Sequence, residues 1–159
     1  RVHHRDRRWE LFQAIQRSPK PVVLVVKDIS PRRSHSCHFG DGLATITQRL
    51  GAIGLVTDGG VRDIDGVRAL GFHYFAAGLV PAHGNFGFVE VNVPVVVSEV
   101  EVKPGDLVHG DVNGVTVFPP EVAQRVVQEA HKVVAREKER AEFAKSPQFT
   151  LEELRRRFP

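Results

Sequence analysis

An apolar run that ends in Asp-Gly-Gly and is followed at once by Arg-Asp constrains this chain more than any other stretch. It spans residues 53–63: Ile-Gly-Leu-Val-Thr-Asp-Gly-Gly-Val-Arg-Asp. The run, 53–57, reads as a buried strand. The glycines read as a tight turn, because glycine takes positive φ without steric cost. Asp63 then stands where a helix over 64–70 would begin. A charged pair at the carboxyl end of a buried strand is a place for chemistry, since the crevice outside the strand ends is open. It is equally a place for a helix-capping carboxylate paired with a neighbouring arginine. The stretch alone leaves both readings open.

A length of 159 residues suits one domain with a substantial core. The formal net charge is only +3, and the pI of 9.4 comes from scattered arginines, which argues against a nucleic-acid surface. The basic start, Arg1 to Arg8, reads as a solvated terminus. Cys37 is the single cysteine, so no intramolecular disulfide forms and a reducing, cytoplasmic setting is expected. No apolar run approaches the roughly 20 residues of a membrane span, and no signal segment opens the sequence. The absence of methionine implies a segment ahead of Arg1.

In chain order, 9–16 has helical spacing and ends at Ser18-Pro19, and the β-branched run 22–26 reads as a strand. Residues 28–39 read as a loop. The loop holds His35, Cys37 and His38, which lack the further ligands a zinc site needs. Gly40-Asp41-Gly42 opens a helix over 43–50 closed by Gly51. A helix entered through glycines offers free backbone N–H groups to an anion, or Asp41 simply caps it. This β-α-β-α order predicts parallel strands with right-handed crossovers. Short β segments follow at 73–77, 88–93, 94–97, 106–110 and 114–118, where Asp106 and Asp111 are turn formers. A helix over 121–144 carries an apolar stripe with Glu137 at its centre, and Thr150 opens a final short helix. No linker divides the chain, so 1–159 reads as one domain ending in the helices of 121–159.

Asp41, twenty residues and then Arg62-Asp63 resemble the D-x20-R-D signature of class II pyruvate aldolases. These belong to the RraA-like family, named after the regulator of ribonuclease E activity A. Gly-Leu-Val-Thr-Asp-Gly-Gly-Val-Arg-Asp at 54–63, Val-Asn-Val-Pro-Val at 91–95 and Pro-Gly-Asp-Leu-Val-His-Gly-Asp-Val-Asn-Gly-Val at 104–115 match in the family's order. The resemblance covers roughly residues 20 to 120. It implies an α/β fold like the swivelling phosphohistidine domains, here with a long C-terminal helix. It implies trimers or pairs of trimers with sites between subunits, and a divalent metal, Mg²⁺ or Mn²⁺. Family members that only bind ribonuclease E lack the aspartate after the arginine, which this chain keeps. Two departures stand out: the family's longer amino-terminal region is absent, and Gly42 replaces a bulkier residue.

The implied activity is cleavage of 4-hydroxy-4-methyl-2-oxoglutarate or related 4-hydroxy-2-oxo acids to pyruvate. Oxaloacetate decarboxylation accompanies it through the same enolate. Asp63 is expected to ligate the metal, which polarises the 2-oxo oxygen as a Lewis acid. Arg62 adds fixed positive charge there. The amides of Gly42 and Leu43 would hold the substrate carboxylate, and Asp41 a water that takes or gives the proton. In the aldolases a glutamate from a neighbouring subunit reaches the metal's water shell, and Glu137 is the candidate. The alternative is a non-enzymatic oligomeric module that regulates a ribonuclease or another protein.

Overall fold

The computed structural model describes residues 6–33, 35 and 37–159. Its central element is β3 (Ala52–Val61), ten residues long and buried along most of its length. β1 (Val22–Val26) lies parallel to the first part of β3, and β2 (Cys37–Phe39) to its last two residues. β4 (His73–Leu79) runs parallel along both parts. The expected parallel order is therefore present, with two differences. The segment 28–39 is not all loop, because its last three residues form β2. And the strand does not stop at Thr57.

The second difference has a steric cause. Neither Gly59 nor Gly60 takes a positive φ, so the pair does not turn the chain. A side chain at 59 would overlap the His38 ring and crowd Asp28. The glycine lets neighbouring groups press against an extended strand, and the β3–β4 register slips between Thr57 and Gly60.

Three helices surround this sheet: α1 (Arg8–Arg17), α2 (Asp41–Arg49) and α3 (Ile64–Ala69). Gly51 and Gly71 follow the last two with φ of 106° and 67°, conformations that suit glycine. Ile15, Leu24, Phe39, Ala44, Leu55, Val61, Val67 and Phe72 form the core between helices and sheet. Fully burying each of the larger of these side chains contributes about 1.5–3 kcal/mol.

Two hairpins complete this part. β5 (Val95–Val97) and β6 (Val100–Val102) are antiparallel across Ser98-Glu99, both at positive φ as a two-residue hairpin requires. The segment 88–94 holds no strand, contrary to expectation, and β6 replaces it in the pairing. β7 (Leu107–Asp111) pairs with β8 (Gly114–Phe118). Asp106 accepts from the Lys103 N–H at 2.8 Å and Asp111 from the Asn113 N–H at 2.7 Å, so both aspartates form turns.

The chain falls into two compact units, Arg1–Val117 and Phe118–Pro159. The second holds α4 (Ala123–Lys145) and α5 (Leu151–Arg157). Thr150 caps α5 by accepting from the Glu153 N–H at 3.1 Å. Phe143 is buried against the rings of Phe149 and Phe158, with the Arg157 guanidinium 4.6 Å from its centre. No helix among the described residues is long and apolar enough to cross a membrane.

Candidate active site

Because β2 and β3 are parallel neighbours, α2 and α3 both begin at the same end of the sheet. The Arg62 N–H donates to Phe39 O at 3.2 Å and fixes the two strand ends together. Asp63 sits at φ 60°, ψ 40°, the left-handed region that aspartate tolerates better than most residues. Its side chain does not cap α3. Instead its Oδ2 accepts from Arg62 Nε at 3.0 Å and from the Asp41 N–H at 3.2 Å. One carboxylate oxygen thus holds the arginine and the first turn of the adjacent helix. Gly40 makes this approach possible: a Cβ there would overlap Asp63 Oδ2 and press on the Arg62 side chain.

Asp41 is the first residue of α2, after the N-cap Gly40, and its carboxylate accepts no hydrogen bond among the described residues. With the Asp41 N–H taken by Asp63, the Gly42 and Leu43 N–H groups are the orphan donors of that helix start. Neither makes a hydrogen bond among the described residues. Nothing lies within 4 Å of a Cβ built on Gly42, so the bulkier residue of the family would fit there.

These groups face a pocket of about 440 Å³. Asp41, Gly42, Leu43 and Arg62 form one side. Trp9 and Phe12 of α1 and Phe86 of the β4–β5 connection form an apolar wall, with Arg8 beside them. His38 and His83 also line it. The wall is fastened by two hydrogen bonds: the Arg7 N–H donates to Phe88 O at 2.8 Å, and the Phe88 N–H to the Asp6 side chain, Oδ1, at 3.1 Å. A larger cavity of about 610 Å³ lies against β3, β4 and both hairpins, but it is lined by residues such as Val56, Phe75 and Val115 and, among the described residues, by no titratable group. Chemistry therefore favours the smaller pocket.

His38 is held below the ordinary histidine value by burial, which outweighs the opposing pull of Asp28 and Asp58. Its Nε2 lies 3.4 Å from Thr57 Oγ1. Beneath it is a knot of charge. Asp58, 8% exposed, accepts from Lys27 Nζ, from the Asp28 N–H at 2.8 Å and from Arg33 at 3.3 Å. Burial alone would raise the Asp58 carboxyl, but these donors outweigh it and the net shift is downward.

Of the residues singled out from sequence, the fold brings Asp41, Gly42, Leu43, Arg62 and Asp63 to one place. Glu137 belongs to the second unit, exposed on α4 and without an ion pair among the described residues. The apolar stripe of that helix is exposed too, Val126 at 37% and Val133 at 55%. The His35–His38 cluster diverges: Cys37 is buried and donates to Phe39 O, His38 lines the pocket, and His35 is exposed. Sequence reasoning missed His83, Phe86 and the contribution of α1. His38 had a signal, as the polar residue between Cys37 and Phe39, which both point inward.

A parallel sheet whose adjacent helix starts bring together an Arg-Asp pair, with the arginine and the first turn of α2 lining a pocket, defines an α/β protein with its candidate site at the strand ends. Residues 1–117 match Aldolase/RraA, and the chain belongs to the RraA-like family. A Halalkalibacterium halodurans protein carrying the provisional name 4-hydroxy-4-methyl-2-oxoglutarate aldolase is 39% identical over 94 residues, 58% of this chain and 45% of that protein. An uncharacterized Methanocaldococcus jannaschii protein is 40% identical over 120 residues, 73% of this chain and 56% of its own length. The chain thus spans about half the length of these curated relatives. Streptomyces coelicolor RraAS2, described as an unusual member of the RNase ES inhibitor RraA protein family, superposes with a TM-score of 0.67. It is 32% identical, with 82% of this chain and 65% of that one covered.

Proposed function

We propose that the pocket is the active site of a divalent-metal-dependent pyruvate aldolase. Its substrates are 4-hydroxy-4-methyl-2-oxoglutarate or related 4-hydroxy-2-oxo acids, and it also decarboxylates oxaloacetate. The observation that carries this reading is the double engagement of Asp63 Oδ2, by Arg62 and by the α2 helix start, next to two unpaired amides. That arrangement fixes a guanidinium beside an anion-binding helix end, which is what a 2-oxo acid requires. The name of the Halalkalibacterium relative supports the reaction class.

The donors suit a hard cation. Asp63 Oδ1 makes no hydrogen bond among the described residues, and the Asp63 side chain is 35% exposed. No group of three or more His, Cys, Asp or Glu side chains gathers there among the described residues. One carboxylate completed by water and substrate oxygens fits Mg²⁺ or Mn²⁺ better than a metal that needs a protein cage. Asp63 would hold it, and bound there it would supply Lewis acidity to the 2-oxo oxygen. The Gly42 and Leu43 amides receive the substrate carboxylate. Arg62 stabilises negative charge as it grows on the 2-oxo oxygen. Asp41 orients the water that protonates C3 of the pyruvate enolate. Glu137 of a neighbouring subunit would complete the site in a homotrimer or hexamer. It lies beyond the matched residues 1–117, so its assignment stands on chain position alone.

The test is pyruvate release from oxaloacetate and from a panel of 4-hydroxy-2-oxo acids, with Mg²⁺, Mn²⁺ or a chelator. Asp63→Asn should abolish the metal-dependent part while the melting curve stays in place. Full activity in that variant removes Asp63 as the ligand. A second reading, a non-enzymatic regulator of a ribonuclease, is favoured by the description of the Streptomyces neighbour. No turnover on any panel member, together with inhibition of a ribonuclease, would decide for it.

A further inference from the structure

The proposed substrate carries a second carboxylate, at C5, which none of the residues assigned so far receives. On that reading the α2 start takes the carboxylate at C1. Arg62 is committed to Asp63, at 3.0 Å, and to the 2-oxo oxygen. A carboxylate drawn into a pocket with an apolar wall is costly unless a cation or several donors meet it. Among the described residues that line the pocket, Arg62 and Arg8 are the two with a permanent positive charge.

Composition places Arg8 in a solvated basic terminus, but the fold makes it the first residue of α1 and part of the pocket lining. Its position is fixed by its surroundings. The Arg8 N–H donates to Asp6 Oδ1 at 3.1 Å, and Arg8 Nη2 lies 3.4 Å from Asp6 Oδ2. The guanidinium carbon is 5.7 Å from the centre of the Phe86 ring, within cation–π range. Asp6 in turn accepts from the Phe88 N–H, so α1 and the segment 86–88 frame the arginine together. Its donors are nevertheless not all used. Arg8 Nε–H is buried and has no acceptor among the described residues. An ordinary surface ion pair leaves its spare donors to water, whereas a buried donor without an acceptor is costly until a ligand supplies one. A carboxylate oxygen would do so in a charge-assisted bond. The ring of Phe86 and its neighbours in the wall, Trp9 and Phe12, suit the methyl group on C4.

We propose that Arg8 anchors the second carboxylate of the substrate and makes this pocket selective for 2-oxo diacids. The assignment rests on the aldolase reading above for the placement of the first carboxylate. Arg8 binds and orients; it takes no part in the bond that breaks.

The experiment uses two pairs of acids, with Mg²⁺ supplied. 2-Oxoglutarate and 2-oxopentanoate differ only in a carboxylate against a methyl group, and neither has a C4 hydroxyl to allow cleavage. Calorimetry should show the wild-type protein binding the diacid at least about 10-fold more tightly. In Arg8→Met that preference should shrink to within about 2-fold, through weaker binding of the diacid, with the melting curve in place. Arg8→Lys, which keeps the charge but loses Nε–H, should give an intermediate ratio. The second pair is 4-hydroxy-4-methyl-2-oxoglutarate and 4-hydroxy-2-oxopentanoate, which has hydrogen in place of the second carboxylate. Their kcat/KM ratio should fall by the same factor in Arg8→Met, carried by KM for the diacid. No diacid preference in wild type, an unchanged ratio in Arg8→Met, or equal losses for both acids of a pair would overturn the anchor. Cleavage without diacid preference leaves the aldolase reading standing and removes Arg8 from it. An Arg8-dependent diacid preference without cleavage of either hydroxy acid upholds the anchor and sinks the aldolase reading.

Discussion

Gly40 and Gly42 stand on either side of Asp41 and have opposite consequences. A methyl group at 40 would overlap Asp63 Oδ2, whereas one at 42 meets open space. Gly40→Ala should therefore displace the Arg62–Asp63 pair and lose most activity, while Gly42→Ala should stay near wild type; steady-state kinetics of the two variants checks this. Arg62→Lys should lower kcat strongly, because an ammonium lacks the planar fork, whereas a rise in KM alone would make Arg62 a substrate anchor. Cys37 is fully buried, and burial holds its thiol above the ordinary value. It should resist thiol reagents in the folded protein and react only on denaturation. Tyr74 Oη is buried without a hydrogen-bond partner among the described residues, and burial pushes its hydroxyl up as well. Tyr74→Phe should leave stability unchanged or raise it by up to about 1 kcal/mol in a thermal melt.

At the level of elements, β3 does more than the sequence revealed. The short apolar run identified its first half; the helix after Asp41 was legible from its flanking glycines, and the one after Asp63 from its place behind the strand and the Asp-Gly-Gly. The second half was misread as a turn because Asp-Gly-Gly has the composition of one. Only the packing of His38 and Asp28 against Gly59 explains the glycine there. His83 was illegible for a related reason: Pro-Ala-His-Gly-Asn is a turn sequence, and its pairing with Cys37 joins residues far apart in the chain. The buried half of β3 also sets an acid limit. Asp58 titrates below the ordinary 3.8 and His38 below the ordinary 6.5 in the folded chain, so unfolding takes up protons as pH falls. Both contributions are complete above those ordinary values and are lost below them. Stability should thus decline first through the histidine range, and His38→Gln should flatten that limb of a melting-temperature profile. Asp58→Ala should cost about 3 kcal/mol near neutral pH, since it strands Lys27 beside a buried void.

On the scale of the whole molecule, the exposed valines of α4, Val127 at 54% and Val134 at 61% among them, are expected to meet other subunits. Light scattering should report a trimer or hexamer, and Val133→Lys should reduce its order. Mixing Glu137→Ala with Asp63→Asn subunits should restore partial activity if the glutamate acts across an interface; no recovery despite verified subunit exchange would remove Glu137 from the site. The pocket itself is assembled from separate parts of the first unit. Its reacting face comes from the ends of β2 and β3, and its apolar wall from α1 and the segment before β5, fastened to each other through Asp6, Arg7 and Phe88. On the aldolase reading proposed above, reaction and appetite are carried by different stretches of the gene. Variation confined to Trp9, Phe12 and Phe86 could retune which side chain beyond C4 is admitted while the bond that breaks stays the same, and a relative with another diet needs no new catalyst.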